Sequence, residues 1–274
     1  MALDRLSSTD YDKLITANKD IMINNVVYIY LGKGGQGTVY CNKNTGNVIK
    51  VFRDRINNSI INELVYLKMC KYAIDKEYTP NLIEYHDEVY IDDRIVISME
   101  MMDGTLEDWA KNKQSDLDWS SMLFQLLHVT YVMNNVLFIK HNDMKPKNIL
   151  YKRLPQQKIY RYIFGNKVFD VPINYLFKVI DFGHSKYDKK KIIKDKPNDL
   201  SQIFILHKRS VVDAMIYKHN IFELKSMASN HKEFNEYYQK NILDISKTFK
   251  KYPQKIKDKM ERKMVSYFLV ENNL

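Results

Sequence analysis

The spacing of apolar positions changes several times along the chain, and each change marks an element. VVYIYLG, TVYCNK and NVIKVF are short runs rich in β-branched and aromatic residues, and they predict three successive strands. GKGGQG joins the first two strands; KNTGN, with Asn44 and Gly46 suited to a turn, joins the second and third. SIINELVYLKMCKYA then switches to a helical period: Ile60, Leu64, Leu67 and Cys70 fall on one broad face, and Glu63 lies beside it. NLIEYHDEVY and IVISM flank the turn IDDR and predict a hairpin that runs out into a polar segment. A helix is predicted over Ser120 to Ile139, with Leu123, Leu126, Leu127, Tyr131 and Leu137 as apolar positions. Beyond it, KIYRYIF and KVFDV alternate around Gly165-Asn166 and predict an extra or enlarged hairpin, before the strand FKVI.

Composition adds limits. The 274 residues are 45% hydrophobic and 28% charged, the profile of a soluble globular chain able to build one large domain or two modest lobes. No apolar run is long enough to span a membrane, and the N-terminal stretch lacks the apolar core of a secretory signal. Cys41 and Cys70 make neither a disulfide framework nor a metal knuckle, and they fit a reducing, intracellular setting. The net charge of +10 would attract nucleic acid, acidic protein or anionic lipid. An AT-rich coding sequence would produce the same lysine, asparagine, isoleucine and tyrosine bias without a functional cause.

The candidate chemistry starts at GKGGQGTV, Gly32 to Val39. Its glycines fit two unrelated kinds of nucleotide site, and they equally fit a hairpin that needs positive φ. A dinucleotide fingerprint would lead from a strand into a helix, whereas this stretch leads into another strand. A phosphate-covering hairpin therefore explains it better, with missing side chains letting backbone amides approach phosphate oxygens. Lys50, in the third strand, is either a solvent-facing lysine or a ligand of the α and β phosphates. As a phosphate ligand it needs an acidic partner, which Glu63 can supply. Met99 is expected at the back of the nucleotide pocket, and Glu100 to Met102 could offer backbone groups to an adenine edge.

KHNDMKPKNILY packs His141, Asp143, Lys145 and Asn148 into eight residues. Asp143 can accept or orient a hydroxyl proton, Lys145 can neutralise a transferring phosphoryl group, and the Asn148 side-chain oxygen can bind a divalent ion. His141 has no metal-binding neighbourhood and reads as a packed, hydrogen-bonded structural residue. Asp181, before a glycine at the end of FKVI, either makes a turn or ligates magnesium bridging nucleotide phosphates.

GKGGQGTV, the lysine of VIKVF, Glu63, HNDMKPKNIL and DFG together resemble the eukaryotic-type protein kinase family, in family order, from Val26 to about Ser185. Lys145 is typical of its serine/threonine branch. The resemblance implies ATP with magnesium, or manganese in its place. It implies that Gly32, Lys33, Gly34, Gly35, Gln36, Gly37 and Val39 cover the nucleotide, with Glu100 and Met102 at its base. Lys50 paired with Glu63 would hold the phosphates, Asp143 would act as base, and Asn148 and Asp181 would hold the metal. Phe182 and His141 resemble members of the internal hydrophobic spine. The expected fold is α+β and bilobal: residues 1–102 an antiparallel sheet with one major helix, residues 103–274 mainly helical with a reduced activation segment.

Three departures qualify the likeness. Asn142 stands where the family usually has an arginine that meets an activating phosphate. The stretch between Asp143 and Asp181 is longer than usual because of the 151–176 insert, which could carry a partner or be a surface elaboration. No Ala-Pro-Glu follows DFG, and Asp199 is expected to open the next helix after a short segment. The short segment after DFG, the enlarged hairpin, its Val-Pro element and the DFG-His-Ser stretch resemble the divergent kinases of large cytoplasmic DNA viruses, including poxvirus virion-assembly kinases. That likeness implies host cytoplasm or virion as location, and acidic or viral structural proteins as substrates. Nucleic-acid affinity is a secondary consequence of charge. The lysine-rich tail, Phe234 to Leu274, is expected to close the second lobe. A small-molecule kinase and a noncatalytic kinase-like scaffold are the alternatives.

Overall fold

The structure, a computed structural model, describes residues 6–164 and 167–187. It divides into two compact units. One holds the chain up to Tyr72 with Ile83–Met102; the other holds Ala73–Leu82 and the chain from Asp103 onward.

The first unit is built on an antiparallel sheet of six strands: β1 (Ile21–Ile23), β2 (Val26–Lys33), β3 (Gly37–Asn42), β4 (Val48–Phe52), β5 (Tyr85–Ile91) and β6 (Arg94–Met99). Their order across the sheet is β1-β2-β3-β4-β6-β5. The β3–β4 turn has Gly46 at φ 71°, a left-handed conformation that suits glycine, and Asn42 Oδ1 accepts the amides of Asn44 and Thr45.

Two helices pack in this unit. Helix α1 (Ser8–Thr16) was not anticipated from the sequence. It starts at a capping box in which Ser7 and Asp10 satisfy each other's backbone amides. Its Tyr11 and Leu14 are buried with Tyr28, Tyr40, Ile49 and Val51 of the sheet. Helix α2 (Asn58–Asp75) starts where Asn57 Oδ1 accepts the amides of Ser59 and Ile60, an N-cap arrangement. Ile60, Leu64, Leu67 and Cys70 are all buried, so the apolar face expected of α2 is the buried one.

The second unit contains β7 (Gly104–Thr105), α3 (Leu106–Trp109), α4 (Asp116–Asn135), β8 (Ile139–Lys140), β9 (Ile149–Phe164), β10 (Lys167–Val179) and β11 (Lys186–Tyr187). Helix α4 begins and ends earlier than the predicted Ser120 to Ile139. Ser115 caps it in a capping box with Asp118, which moves the start back. At the other end Phe138 takes φ 55°, and Ile139–Lys140 are extended and pair with β11.

Strands β9 and β10 form one antiparallel hairpin, longer at both ends than the 151–176 insert, with Phe164 opposite Lys167. The turn residues Gly165-Asn166 lie outside the described residues. Pairing shifts where Ile173 faces Lys158 and Tyr175 faces Arg153, so Leu154–Gln157 bulge against a single residue. Pro155 has no amide to give the ladder, and the bulge accommodates it. The buried Asn81 and Gln125 side chains fasten β10: Asn81 Nδ2 donates to the Phe177 carbonyl, and Gln125 Oε1 accepts the Phe177 amide. The aromatic centre of this unit has Trp109 edge-on to Trp119 and Phe177, at 4.7 and 5.0 Å between centroids.

Of the region 103–274, expected to be mainly helical, the described part, 103–187, combines α3 and α4 with the long β9–β10 hairpin. The shortened segment after Tyr187, Asp199 and the Phe234–Leu274 tail lie outside the described residues. Among the described residues, no helix is long and apolar enough to cross a membrane.

Candidate active site

In the first unit, strand register organises the candidate residues. Val39 pairs with Gly32 on one side and Lys50 on the other. Cross-strand partners share a sheet face, so Gly32, Val39 and Lys50 lie on one face. Ile49 and Val51 lie on the other, in the core that takes in α1. The alternation in VIKVF therefore turns Lys50 away from α1 without exposing it to solvent.

Lys50 Nζ meets Glu63 Oε1 of α2 at 2.5 Å, with the two side chains 14% and 3% exposed. This is the pairing that the order of elements predicted. Lys50 Nζ also donates to Gln36 Oε1 at 3.3 Å and lies 4.6 Å from the centre of the Phe52 ring. Gln36 in turn donates through Nε2 to Ser59 Oγ at 3.1 Å. Gln36 was placed among nucleotide-covering residues by its position in the glycine stretch; its side-chain contacts with Lys50 and Ser59 have no signature in the sequence.

The glycines divide by purpose. None of Gly32, Gly34, Gly35 and Gly37 has a left-handed backbone, which overturns the reading of this stretch as a turn that needs positive φ. Gly37 is sterically required: a Cβ there would sit 2.2 Å from the Val51 carbonyl oxygen. Around Gly32 and Gly35 nothing lies within 4 Å of where a Cβ would be, so the chain itself does not demand glycine there. Lys33, on the same hairpin, is exposed. At the end of β6, the Glu100 amide donates to the Glu84 carbonyl, and Glu100 Oε1 accepts the Glu84 amide. The Glu100 amide is therefore not the group that would meet a base. Met102 is buried.

In the second unit the residues of HNDMKPKN come together. Lys145 Nζ lies 2.6 Å from Asp143 Oδ2, and Asn148 Nδ2 donates to that same oxygen and to the Asp143 carbonyl, both at 2.9 Å. Pro146 sits at the start of a 3-10 turn over Pro146–Asn148, which brings Asn148 back toward Asp143. With Nδ2 engaged by two oxygens, Oδ1 is the Asn148 atom able to ligate a cation.

His141 and Asn148 tie this loop to Ile180, just past the end of β10 and next to Asp181. Asn148's carbonyl accepts the Ile180 amide at 3.0 Å, and His141 Nε2 meets the Ile180 carbonyl at 2.9 Å. The carbonyl can only accept, so Nε2 carries the proton and Nδ1 accepts the Asp143 amide at 3.3 Å. His141 is fully buried against Phe182, with 5.0 Å between ring centres. Asp181, between Ile180 and Phe182, has φ 65° and ψ 73°, a left-handed backbone uncommon outside glycine.

The donor set suits the groups that the resemblance implied. Asn148 Oδ1 and the Asp181 carboxylate are hard oxygen ligands of the kind magnesium takes, adjacent through the Ile180 backbone. No cluster of three His, Cys, Asp or Glu residues able to hold a metal occurs among the described residues. A cation here would complete its shell with oxygens from elsewhere, as magnesium does with phosphate and water. Gly32 and Gly35 leave room beside the strand face that carries Lys50.

A solved crystal structure of a kinase domain matches 62% of this chain and 54% of its own, at 19% sequence identity and a TM-score of 0.42. This chain thus spans about half of that one. No curated protein matches. The model of the protein kinase domain matches residues 26–205. That span contains the glycine hairpin, the Lys50–Glu63 pair, the Asp143 loop and Asp181, and by it the chain belongs to the protein kinase domain family.

Proposed function

We propose that this kinase-family chain transfers the γ-phosphoryl group of ATP to a serine or threonine hydroxyl of a protein. The observation that carries the reading is the environment of Asp143. Its Oδ2 is held by both Lys145 and Asn148, which leaves Oδ1 to accept a hydrogen bond from an acceptor hydroxyl and take its proton as the oxygen–phosphorus bond forms. Lys145, fixed on Asp143, puts a positive charge where the transferring group gains negative charge. In the other unit, the Lys50 ammonium, oriented by Glu63, is the ligand for the donor phosphates. Magnesium on Asn148 and Asp181, when bound, would neutralise phosphate charge; manganese offers the same coordination.

Lys145 supports a protein hydroxyl as acceptor, and the chain's charge of +10 supports acidic protein substrates, with nucleic-acid affinity secondary. The long β9–β10 hairpin, with its Val171-Pro172, and the DFG-His-Ser stretch support the likeness to large-DNA-virus kinases, and with it viral structural proteins as substrates. Cys41 and Cys70 are free thiols, in keeping with a reducing intracellular location.

Radiolabel transfer from ATP by wild type, Asp143→Asn and Asp181→Ala, with protein and small-molecule acceptors side by side, tests the reading. Transfer to protein serine or threonine by wild type only is expected. Equal transfer by all three rejects the site, transfer confined to small alcohols or sugars makes it a small-molecule kinase, and folded protein that neither binds nor turns over ATP makes it a scaffold.

A further inference from the structure

We infer that the Gln36 side chain is a built-in stand-in for the donor phosphate: it occupies Lys50 in the nucleotide-free protein and yields that ammonium to the nucleotide. The inference rests on the reading of Lys50 as a phosphate ligand.

An ammonium has three donors and no acceptor. Lys50 gives one to Glu63 and another to the Gln36 amide oxygen. The two contacts are unequal. Glu63 is charged and held at 2.5 Å, whereas Gln36 is neutral and stands at 3.3 Å. A phosphate oxygen competes with both, and it wins first where the incumbent is neutral and distant, because its negative charge adds a Coulomb attraction that an amide oxygen lacks. Glu63 then stays and orients Lys50, while Gln36 leaves.

The amide is positioned for this exchange. Its Nε2 is anchored on Ser59 Oγ at the beginning of α2, and its backbone carbonyl accepts the Arg53 amide at 2.9 Å. Gln36 thus links the tip of the glycine hairpin, the phosphate-binding lysine and the start of the helix that carries Glu63. Displacement of the amide from Lys50 removes one tie on the hairpin tip when phosphate arrives and leaves the Ser59 and Arg53 anchors in place. A hydrophobic residue at this position would leave Lys50 without this competitor, and an acidic one would hold it more tightly.

The experiment uses the full chain and two readouts. The first is the rate at which an acetylating N-hydroxysuccinimide ester modifies Lys50 without nucleotide, read by peptide mass spectrometry. The second is the Kd for ATP with magnesium. Gln36→Ala is expected to raise the Lys50 acetylation rate and to tighten ATP binding by about three- to tenfold, the range of one hydrogen bond. Gln36→Glu is expected to slow acetylation and weaken ATP binding. Ser59→Ala, which removes only the anchor, is expected to shift both readouts in the direction of Gln36→Ala, by less.

Unchanged acetylation in Gln36→Ala, or weaker ATP binding by that variant, overturns the inference: Gln36 would then be idle, or would support Lys50 instead of competing for it. In either case wild-type protein that binds ATP leaves the kinase reading standing. Wild-type protein whose Lys50 is not protected from acetylation by saturating ATP and magnesium overturns the phosphate-ligand role itself, and the inference with it.

Discussion

The Asn142 side-chain amide donates to the backbone carbonyl of His184 at 3.1 Å, and to that of Lys140 at 3.2 Å. A neutral side chain thus fastens the segment after DFG to the Asp143 loop, at the position where the family usually has an arginine. The β8–β11 pairing, Lys140 with Lys186 and Ile139 with Tyr187, adds to the same attachment. Ser185 is buried, and its Oγ meets the His141 carbonyl at 3.4 Å. Tyr187 is 55% exposed.

This attachment needs no phosphate, so phosphatase-treated protein is expected to retain transfer activity. Asn142→Gly keeps the left-handed backbone, φ 63°, at no steric cost and deletes only the amide. The bonds to His184 and Lys140 are lost, and turnover is expected to fall by about tenfold in protein that still folds. Activity that appears only after phosphorylation at Tyr187, measured by mass spectrometry beside turnover, would show that a charge switch operates here after all.

The strand and helix order of the first unit was legible because β2, β3, β4 and α2 each have a strong local period. The Lys50–Glu63 pair followed from that order. Helix α1 was missed because its signal is only a capping box and two buried residues, Tyr11 and Leu14, in a polar stretch. The start of α4 was placed late for a similar reason: Ser115 and Asp118 form a cap that precedes the apolar face. The Gln36–Lys50 contact, the two-sided hold of His141 and Asn148 on Ile180, and the Asn142–His184 bond were not legible. They join residues whose spacing in the chain has no characteristic period, and they depend on backbone groups that every residue has.

The Lys50–Glu63 pair also bears on stability. Removal of Lys50 alone takes the ammonium away from a carboxylate whose side chain is 3% exposed. Breaking a buried ion pair by removing one partner costs about 3–5 kcal/mol, whereas replacement of both partners by apolar groups is often neutral. Lys50→Met is therefore expected to lower unfolding stability more than the double variant Lys50→Met/Glu63→Leu, and on the proposed function both are expected to abolish transfer. Urea denaturation of the two variants measures the difference, and equal losses would show that the pair is well solvated in the native protein.

His128 gives the fold a pH dependence. It is buried on α4, its Nε2 meets the Ile163 carbonyl at 2.9 Å, and Tyr162 packs 4.8 Å away between ring centres. Burial pulls its pKa down from 6.5 to about 4, partly offset by the bond to Ile163. The folded state thus binds fewer protons than the unfolded state between those values. Stability contributed by the neutral imidazole is full above pH 6.5 and falls as pH drops toward 4, by on the order of 3 kcal/mol. His128→Phe is expected to flatten that part of the stability–pH curve from urea titrations between pH 4.5 and 7. An unchanged slope would assign it to other groups.

The glycine hairpin allows structural and ligand-facing glycines to be separated. A methyl group at Gly37 would meet the Val51 carbonyl at 2.2 Å, and since that oxygen belongs to the paired strand β4, relief requires the two strands to part. Gly37→Ala is expected to cost about 1–3 kcal/mol, as overpacking of a close contact does. Gly35→Ala meets nothing within 4 Å and has no left-handed backbone to strain, so its melting temperature should stay within a degree or two of wild type. If the hairpin covers phosphates, the added methyl group intrudes where backbone amides must approach them, and the KM for ATP should rise while the fold is intact. Thermal melts and ATP kinetics on the two variants separate the cases. A Gly35→Ala protein with native stability and unchanged KM would mean that this part of the hairpin does not approach the nucleotide.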